Sequence, residues 1–325
     1  MWAYLTRRLA QAIAVVFVMA VIVFFGVNVI GNPVDILINP EFTEAEYQQA
    51  IRALGLHLPL HEQFFVFLGN ALEGDLGISF VWGEPALKLI AQRLPATLEL
   101  AGAAMFLSIV LGVPLGMYAG TKPHSWVSKS IVSGSILGFS LPTFWVGIMM
   151  IMVFAVMLGI LPSTGRGDTV EVFGIEWSFL TWNGLTHLAM PAVNLALTNI
   201  ALVIRLSRAG TREVMLQDYI KFARAKGLSQ RRITLVHVLK NTLIPVVTVL
   251  GLELGSLIAF SVVTETVFAW PGMGKLIIES IQVLDRPIVV AYLMLTVLLF
   301  VTINFLVDIV YSLLDPRVRV SGAGK

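Results

Sequence analysis

Apolar residues in this chain gather into long runs separated by shorter polar stretches. The first run extends from Leu9 to Ile30, directly after Arg7-Arg8. A helix that crosses a membrane needs roughly 20 mainly apolar residues. Six segments reach that length: about 9–31, 98–120, 130–160, 188–207, 243–269 and 288–314. A secretory signal would show a shorter apolar core and a small-residue cleavage site, so the first run is read as a retained helix. Pro142 falls inside the third segment and Pro191 inside the fourth, and both predict bends. Two longer polar stretches interrupt the pattern. Residues 32–97 separate the first two spans, and residues 161–187 separate the third and fourth. Within the first stretch, Thr43-Glu-Ala-Glu46 has the spacing of a capping box, and Gly55 follows the segment 43–54, which predicts a short helix there. The fold class expected is an all-α polytopic membrane protein with six transmembrane helices and an extracytoplasmic insertion after the first.

Composition agrees with the pattern. The 325 residues are 57% hydrophobic and 13% charged, against about 25% charged in ordinary soluble domains; mean hydropathy is +0.85. Cysteine is absent, which excludes a disulfide framework, a thiolate metal site and a thiol nucleophile. The net charge of +2 decides little, but its placement decides orientation. With the N-terminus in the cytoplasm, 16 of the 22 Lys and Arg fall in cytoplasmic segments and six in outer ones. Basic residues remain inside, so both termini and the 205–242 segment are expected in the cytoplasm, and 32–97 outside.

The 205–242 segment carries nine basic residues against Glu213 and Asp218. Retention of a basic loop beside anionic headgroups would account for charge alone. The order of residues is more specific. Asp218-Tyr-Ile-Lys-Phe-Ala-Arg-Ala-Lys-Gly227 alternates apolar or small residues with basic ones and predicts a short helix. Gly227 is placed to end it in a left-handed conformation, with basic residues suiting the C-terminal dipole. Ser229 can cap a second helix over 230–240. The product is a helix–Gly–helix unit whose small-residue surface another protein can approach closely.

Asp218-Tyr-Ile-Lys-Phe-Ala-Arg-Ala-Lys-Gly-Leu228, followed by His237-Val-Leu-Lys-Asn-Thr-Leu-Ile-Pro245, resembles the "EAA" loop of ABC importer permeases, in the form found in dipeptide and oligopeptide permeases. The glutamate and first alanine of that motif are replaced by Ala223-Arg224, while Ala225 and Gly227 match. Further similarity to the first permease of such importers runs along most of the chain. It includes Arg7-Arg8, Asn32-Pro33, Leu54-Gly-Leu56 with Pro59, Gly74-Asp-Leu-Gly-Ile-Ser79, and Arg93 with Pro95-Ala-Thr-Leu-Glu-Leu100. It continues in Thr264-Glu-Thr-Val-Phe-Ala-Trp-Pro-Gly-Met-Gly274 and in Asp308, Tyr311 and Asp315-Pro-Arg317. The resemblance implies the type I importer fold, with a core starting near residue 95. It divides the chain into 1–94 (first helix and extracytoplasmic region), 95–315 (core, with the coupling loop at about 205–242) and 316–325 (cytoplasmic tail). It implies alternating access, a second permease, two cytoplasmic ATP-binding subunits and an extracytoplasmic solute-binding protein, in a bacterial inner membrane. Asp218, Tyr219, Phe222, Ala223, Arg224, Ala225, Lys226, Gly227 and Leu228 would then form the ATPase-coupling loop. The same resemblance leaves nickel, glutathione, sugars and opines as other solutes.

Other chemistry is sparse. No phosphate loop, dinucleotide fingerprint or nucleophile–base arrangement is present, so the chain is not expected to be an enzyme. No cofactor is expected in it, and ATP and Mg are assigned to partner subunits. The histidines are scattered, and Pro59 lies between His57 and His61, so no metal site is expected. Glu253 and Glu265 lie within or at the end of the fifth span, where an ionisable group faces a cavity or a partner. A structural hydrogen bond is favoured for Glu265, beside Trp270-Pro271. Glu253 stands between lining the translocation path and a structural role. Asp308 is read as structural. Gly251 and Gly255 permit close helix approach, either within the chain or to a partner permease. A non-transporting sensor or assembly subunit is the reading from another class, and it leaves the coupling loop without a purpose.

Overall fold

The structure is a computed structural model that describes residues 2–29, Thr43, Arg52 and 57–314, with backbone only for 2–5, 27–29, Asp308 and 310–314. Helix α1 (Trp2–Val29) is followed by α2 (Leu60–Glu73), α3 (Ala86–Thr121) and α4 (Trp126–Ser140). Next come α5 (Thr143–Met157), strands β1 (Val170–Val172) and β2 (Ile175–Trp177), and α6 (Trp182–Met215). The chain continues through α7 (Asp218–Ala225), α8 (Gln230–Val267), α9 (Met273–Gln282) and α10 (Arg286–Leu314). Among the described residues, five helices are long and apolar enough to cross a membrane: Thr6–Gly26 within α1, α3, α6, α8, and Arg286–Val307 within α10. The pair α4–α5 makes a sixth span if counted as one broken helix, bent by 104°. The bend expected at Pro142 is therefore a break. Pro142 caps α5 with extended backbone, and it pushes Leu141 out of the helical region as well (ψ 135°). Pro191 lies inside α6, and the helix continues past it. The helix expected over 43–54 lies, Thr43 and Arg52 apart, outside the described residues.

The chain divides into two compact units: 1–95 with 272–305, and 96–271 with 306–325. In the first, Phe24 of α1 meets Phe64 and Phe67 of α2 with ring centroids 5.4 and 5.6 Å apart. Such pairs add to area burial through their edge and face charges. In the same unit Asp285, fully buried, accepts hydrogen bonds from Ser79 Oγ and from the Phe80 N–H at 3.2 Å. That carboxylate fixes the turn beginning at Ser79 beside the start of α10.

In the second unit, α3 and α6 pack through a stripe of glycines. A Cβ at Gly112, Gly116 or Gly120 would stand 2.7 Å from Val203, 2.6 Å from the Ile204 carbonyl and 2.7 Å from Thr211. Glycine every four residues lies on one helix face, and its missing side chain lets the two backbones touch, as small residues do in membrane bundles. Gly251 of α8 approaches α10 similarly, since its Cβ would lie 2.6 Å from Val307. For Gly251 the close approach is thus within the chain.

Helix α8 differs from expectation. The separate helix expected over 230–240 is instead the first part of a 38-residue helix, continuous through a π-helical stretch at Ile233–Val238. Likewise 205–215 belongs to α6, which leaves only the short excursion around α7 between two long helices.

Candidate functional site

Helix α7 is short but firmly seated. Asp218 lies in its first turn and Arg224 in its last, the arrangement the helix dipole favours. Its end is a Schellman motif. The Leu228 N–H reaches the Ala223 carbonyl at 3.2 Å, and the Gly227 N–H reaches Arg224 at 2.9 Å. Gly227 sits at φ +76°, the left-handed conformation that closes this turn with least strain in glycine. Ser229 then caps α8, accepting from the Arg232 N–H at 3.4 Å.

The helix has two distinct faces. Ile220 and Ala223 point inward and are buried against Val113, Met117, Val203, Ile233, Val238, Val246 and Leu250, with Leu228 packed at the edge. The outward face carries Leu216 (74% exposed), Tyr219, Phe222 (62% exposed), Ala225 and Lys226. The ammonium of Lys226 stands 4.6 Å from the centre of the Phe222 ring, a cation–π contact. Lys221 donates to Asp218 at 2.8 Å, and this hydrogen bond and charge hold the Asp218 carboxyl below the usual carboxylate range. Tyr219 Oη accepts from Asn241 Nδ2 at 3.0 Å, which ties the outward face to α8. Arg224 reaches Met215 Sδ at 3.7 Å and, with Lys122 and Arg231, lines a cavity of about 580 Å³ beside the helix. An exposed aromatic pair on a buried anchor is the arrangement a protein partner can grip, because the aromatic area is available while its position is fixed.

Glu253 does not join these residues. It sits near the middle of α8 and lines a separate cavity of about 380 Å³ between α4, α5, α6 and α8. Asn199, Arg205 and Ser256 contribute polar atoms to the same wall. Glu265, by contrast, is fully buried and accepts from Thr97 Oγ1 at 2.8 Å and Ser261 Oγ at 2.9 Å. These hydrogen bonds agree with the structural reading favoured for it. Beside it the indole of Trp270 donates to the Ala96 carbonyl at 2.8 Å. The side chain of Asp308 lies outside the described residues.

Two features were not anticipated. Residues 170–177 form a β-hairpin, in which Val170 pairs with Trp177 and Val172 with Ile175. Its turn is Phe173-Gly174, both at positive φ (55° and 76°), the conformation of a type I′ turn. The base of the hairpin is locked by Glu99, whose carboxylate accepts from the Ser178 N–H, Ser178 Oγ and the Phe179 N–H at 2.7–2.8 Å. Arg166 adds an ion pair at 2.7 Å. The Glu99 side chain is 1% exposed and that of Arg166 11%.

Known proteins place this architecture. The model of the binding-protein-dependent transport system inner membrane component matches residues 112–320, and the model of its N-terminal part matches residues 1–101. The di/tripeptide transport system permease DppB of Pseudomonas aeruginosa is 36% identical over 98% of this chain and 99% of its own length. The oligopeptide transport system permease AppB of Bacillus subtilis is 35% identical over 98% and 100%. The glutathione transport system permease GsiC of Escherichia coli O6:H1 is 34% identical over 97% and 98%. Among solved structures, a chain of the MetNI methionine ABC transporter in an inward-facing conformation superposes with a TM-score of 0.53. That match covers 70% of this chain and 96% of that one at 18% identity, a likeness of fold alone, that of a type I ABC importer permease. The chain belongs to the family of inner-membrane components of binding-protein-dependent transport systems.

Proposed function

We propose that this chain is one of two permease halves of an importer for dipeptides or oligopeptides, and that α7 is its coupling element to an ATPase. The observation that carries the substrate class is the pair of peptide permeases matched at 35–36% identity over nearly the whole chain. Glutathione, itself a tripeptide, is the one other solute among these relatives that the match to GsiC favours. In this reading 1–94 form the first helix and outer region, 95–315 the transporting core and 316–325 a cytoplasmic tail. Both termini are cytoplasmic, as the basic residues require. A solute-binding protein delivers peptide from outside. A second permease completes the path, which Glu253 lines. Two cytoplasmic subunits bind ATP and Mg, hydrolyse the ATP, and drive alternating access by moving α7.

The geometry of α7 supports that role. Asp218, Tyr219, Phe222, Arg224, Ala225, Lys226 and Gly227 are exposed, while Ala223 and Leu228 anchor the helix to the core that also holds α3, α6 and α8. A push on the outward face is thereby transmitted to three spanning helices. The test uses the assembled importer. Ala225→Asp places a charge where an ATPase would seat, and desolvating an unpaired charge costs several kcal/mol. The variant should insert normally, yet lose the ATPase subunits on purification and lose peptide uptake. Wild-type uptake and co-purification in Ala225→Asp would refute the coupling assignment. Absence of peptide uptake by a fully assembled wild-type complex would refute the substrate class.

A further inference from the structure

We infer that the cavity beside Glu253 is a transient subsite for the two charged ends of a peptide, with Glu253 taking the α-ammonium and Arg205 the terminal carboxylate. The inference rests on the reading of this cavity as part of the translocation path. It begins from the charges. Glu253 lies 14 residues from either end of the Leu239–Val267 stretch of α8, at the middle of a span, where an ionised group is costly unless it faces water or a partner. Arg205, ten residues before the end of α6, lines the same cavity. No ion pair joins either of them to each other or to any other described residue. An anion and a cation that share one cavity and do not pair are arranged for a guest carrying both signs.

The two residues stand at neighbouring levels of the cavity wall. Helices α6 and α8 run antiparallel, with Asn194 donating to Thr264 Oγ1 at 3.1 Å and Gly210 facing Thr242. Counting along α8 from these two contacts sets Arg205 level with a residue between 247 and 253, within about two helical turns of Glu253. Both side chains line one cavity from facing helices, and the charged ends of an extended dipeptide, at most ~7 Å apart, fit between two such groups. The guanidinium of Arg205 stands 5.1 Å from the centre of the Phe139 ring, itself on the cavity wall, which holds the cation at the cavity. Leu195, Leu202 and Phe260 supply apolar surface for side chains. The volume of about 380 Å³ falls within the ~300–1,000 Å³ of small-molecule sites. A binding protein selects by affinity, but the path must let go, so two charge contacts and an apolar wall suit a weak, passing site.

The test is binding of Ala-Phe, N-acetyl-Ala-Phe and Ala-Phe amide to the purified permease–ATPase complex without binding protein. The wild-type complex should bind the free dipeptide roughly tenfold more tightly than either blocked form, as loss of one charge-assisted contact predicts. In Glu253→Gln the free and acetylated peptides should bind alike, while discrimination against the amide persists. In Arg205→Gln the reverse should hold. A wild-type complex that shows no preference for free ends overturns the subsite without any variant being made. So does either variant keeping both preferences. Transport of Ala-Phe by the reconstituted complex with loaded binding protein is measured alongside. Uptake without end preference removes the subsite and leaves the importer reading, whereas absence of uptake for any peptide removes the importer reading itself.

Discussion

At the scale of single residues, backbone conformation decides more than contact. Gly227 sits at φ +76°, and a Cβ there would meet nothing within 4 Å. Substitution is therefore penalised by conformation and not by clash, and the penalty depends on residue type. Gly227→Val should cost roughly 1–2 kcal/mol and, if α7 couples to an ATPase as proposed, turn it from the angle at which that partner would seat. Gly227→Asn, which tolerates the left-handed region, should keep most of the coupling. Uptake by the two variants in the assembled importer separates this account from one in which any side chain at 227 blocks a partner, since then both would fail. Ala269 and Leu284 adopt the same region at φ 47° and 57° without being glycine. Each ends a helix as Gly227 does, with Trp270 N–H on the Glu265 carbonyl and Asp285 N–H on that of Ser280, both at 2.8 Å. Ala269→Gly should relieve strain and stabilise the fold by about 0.5–1 kcal/mol, after the added freedom of the unfolded chain is subtracted. A thermal midpoint equal to or below wild type would argue that Ala269 is not strained.

Between elements, what holds this bundle together is partly close backbone contact and partly buried charge, and the two respond differently to mutation. Gly116→Leu inserts a side chain where the Ile204 carbonyl and Ser207 already stand 2.6 Å from the Cβ position. It should cost about 1–3 kcal/mol or more by overpacking α3 against α6, read as a lowered thermal midpoint. Arg166→Ala leaves Glu99 buried with its charge uncompensated, which costs about 3–5 kcal/mol, and should loosen the hairpin toward proteases. Adding Glu99→Gln should recover part of that loss, because a neutral amide oxygen can still accept from Ser178 and Phe179. No recovery in the double variant would mean that the guanidinium matters for packing and not for charge. The sequence shows why these features were unequally legible. The spans and the Gly227 turn are local signals, carried by runs of apolar residues and by one glycine after a short amphipathic stretch. The Glu99–Arg166 pair joins residues 67 apart, and nothing in the chain marks one as the partner of the other. Gly112, Gly116 and Gly120 are visible as a stripe, but Val203, Ser207 and Thr211 become their counterpart only once α3 and α6 are side by side. The hairpin turn is Phe-Gly and not Asn-Gly or Asp-Gly, so the usual signal for a type I′ turn was half missing. Glu253 stood out as a charge within a span. Arg205 did not, because a basic residue near a span end is also what retention on the cytoplasmic side requires.

For the molecule as a whole, α6 fixes topology. Its 34 residues extend about 50 Å at 1.5 Å per residue, well beyond the ~30 Å of bilayer hydrocarbon. The β-hairpin adjoins its N-terminus and α7 its C-terminus, so if α6 crosses the membrane these two features face opposite compartments. The excess of Lys and Arg, 16 against six, predicts α7 in the cytoplasm and the hairpin outside. A chain without cysteine allows a direct test with single introduced thiols. Phe173, at the hairpin tip, is fully exposed, and the Lys221 side chain is 65% exposed, so neither Phe173→Cys nor Lys221→Cys disturbs packing. In intact cells whose outer barrier is opened, an impermeant maleimide should label position 173 and also Ala45→Cys, in the segment between the first two spans. Position 221 should label only from inside, in inverted vesicles. Labelling of 173 and 221 from the same side would mean that α6 does not cross. Labelling of 221 from outside and 173 from inside would invert the molecule, and with it the placing of α7 against a cytoplasmic ATPase.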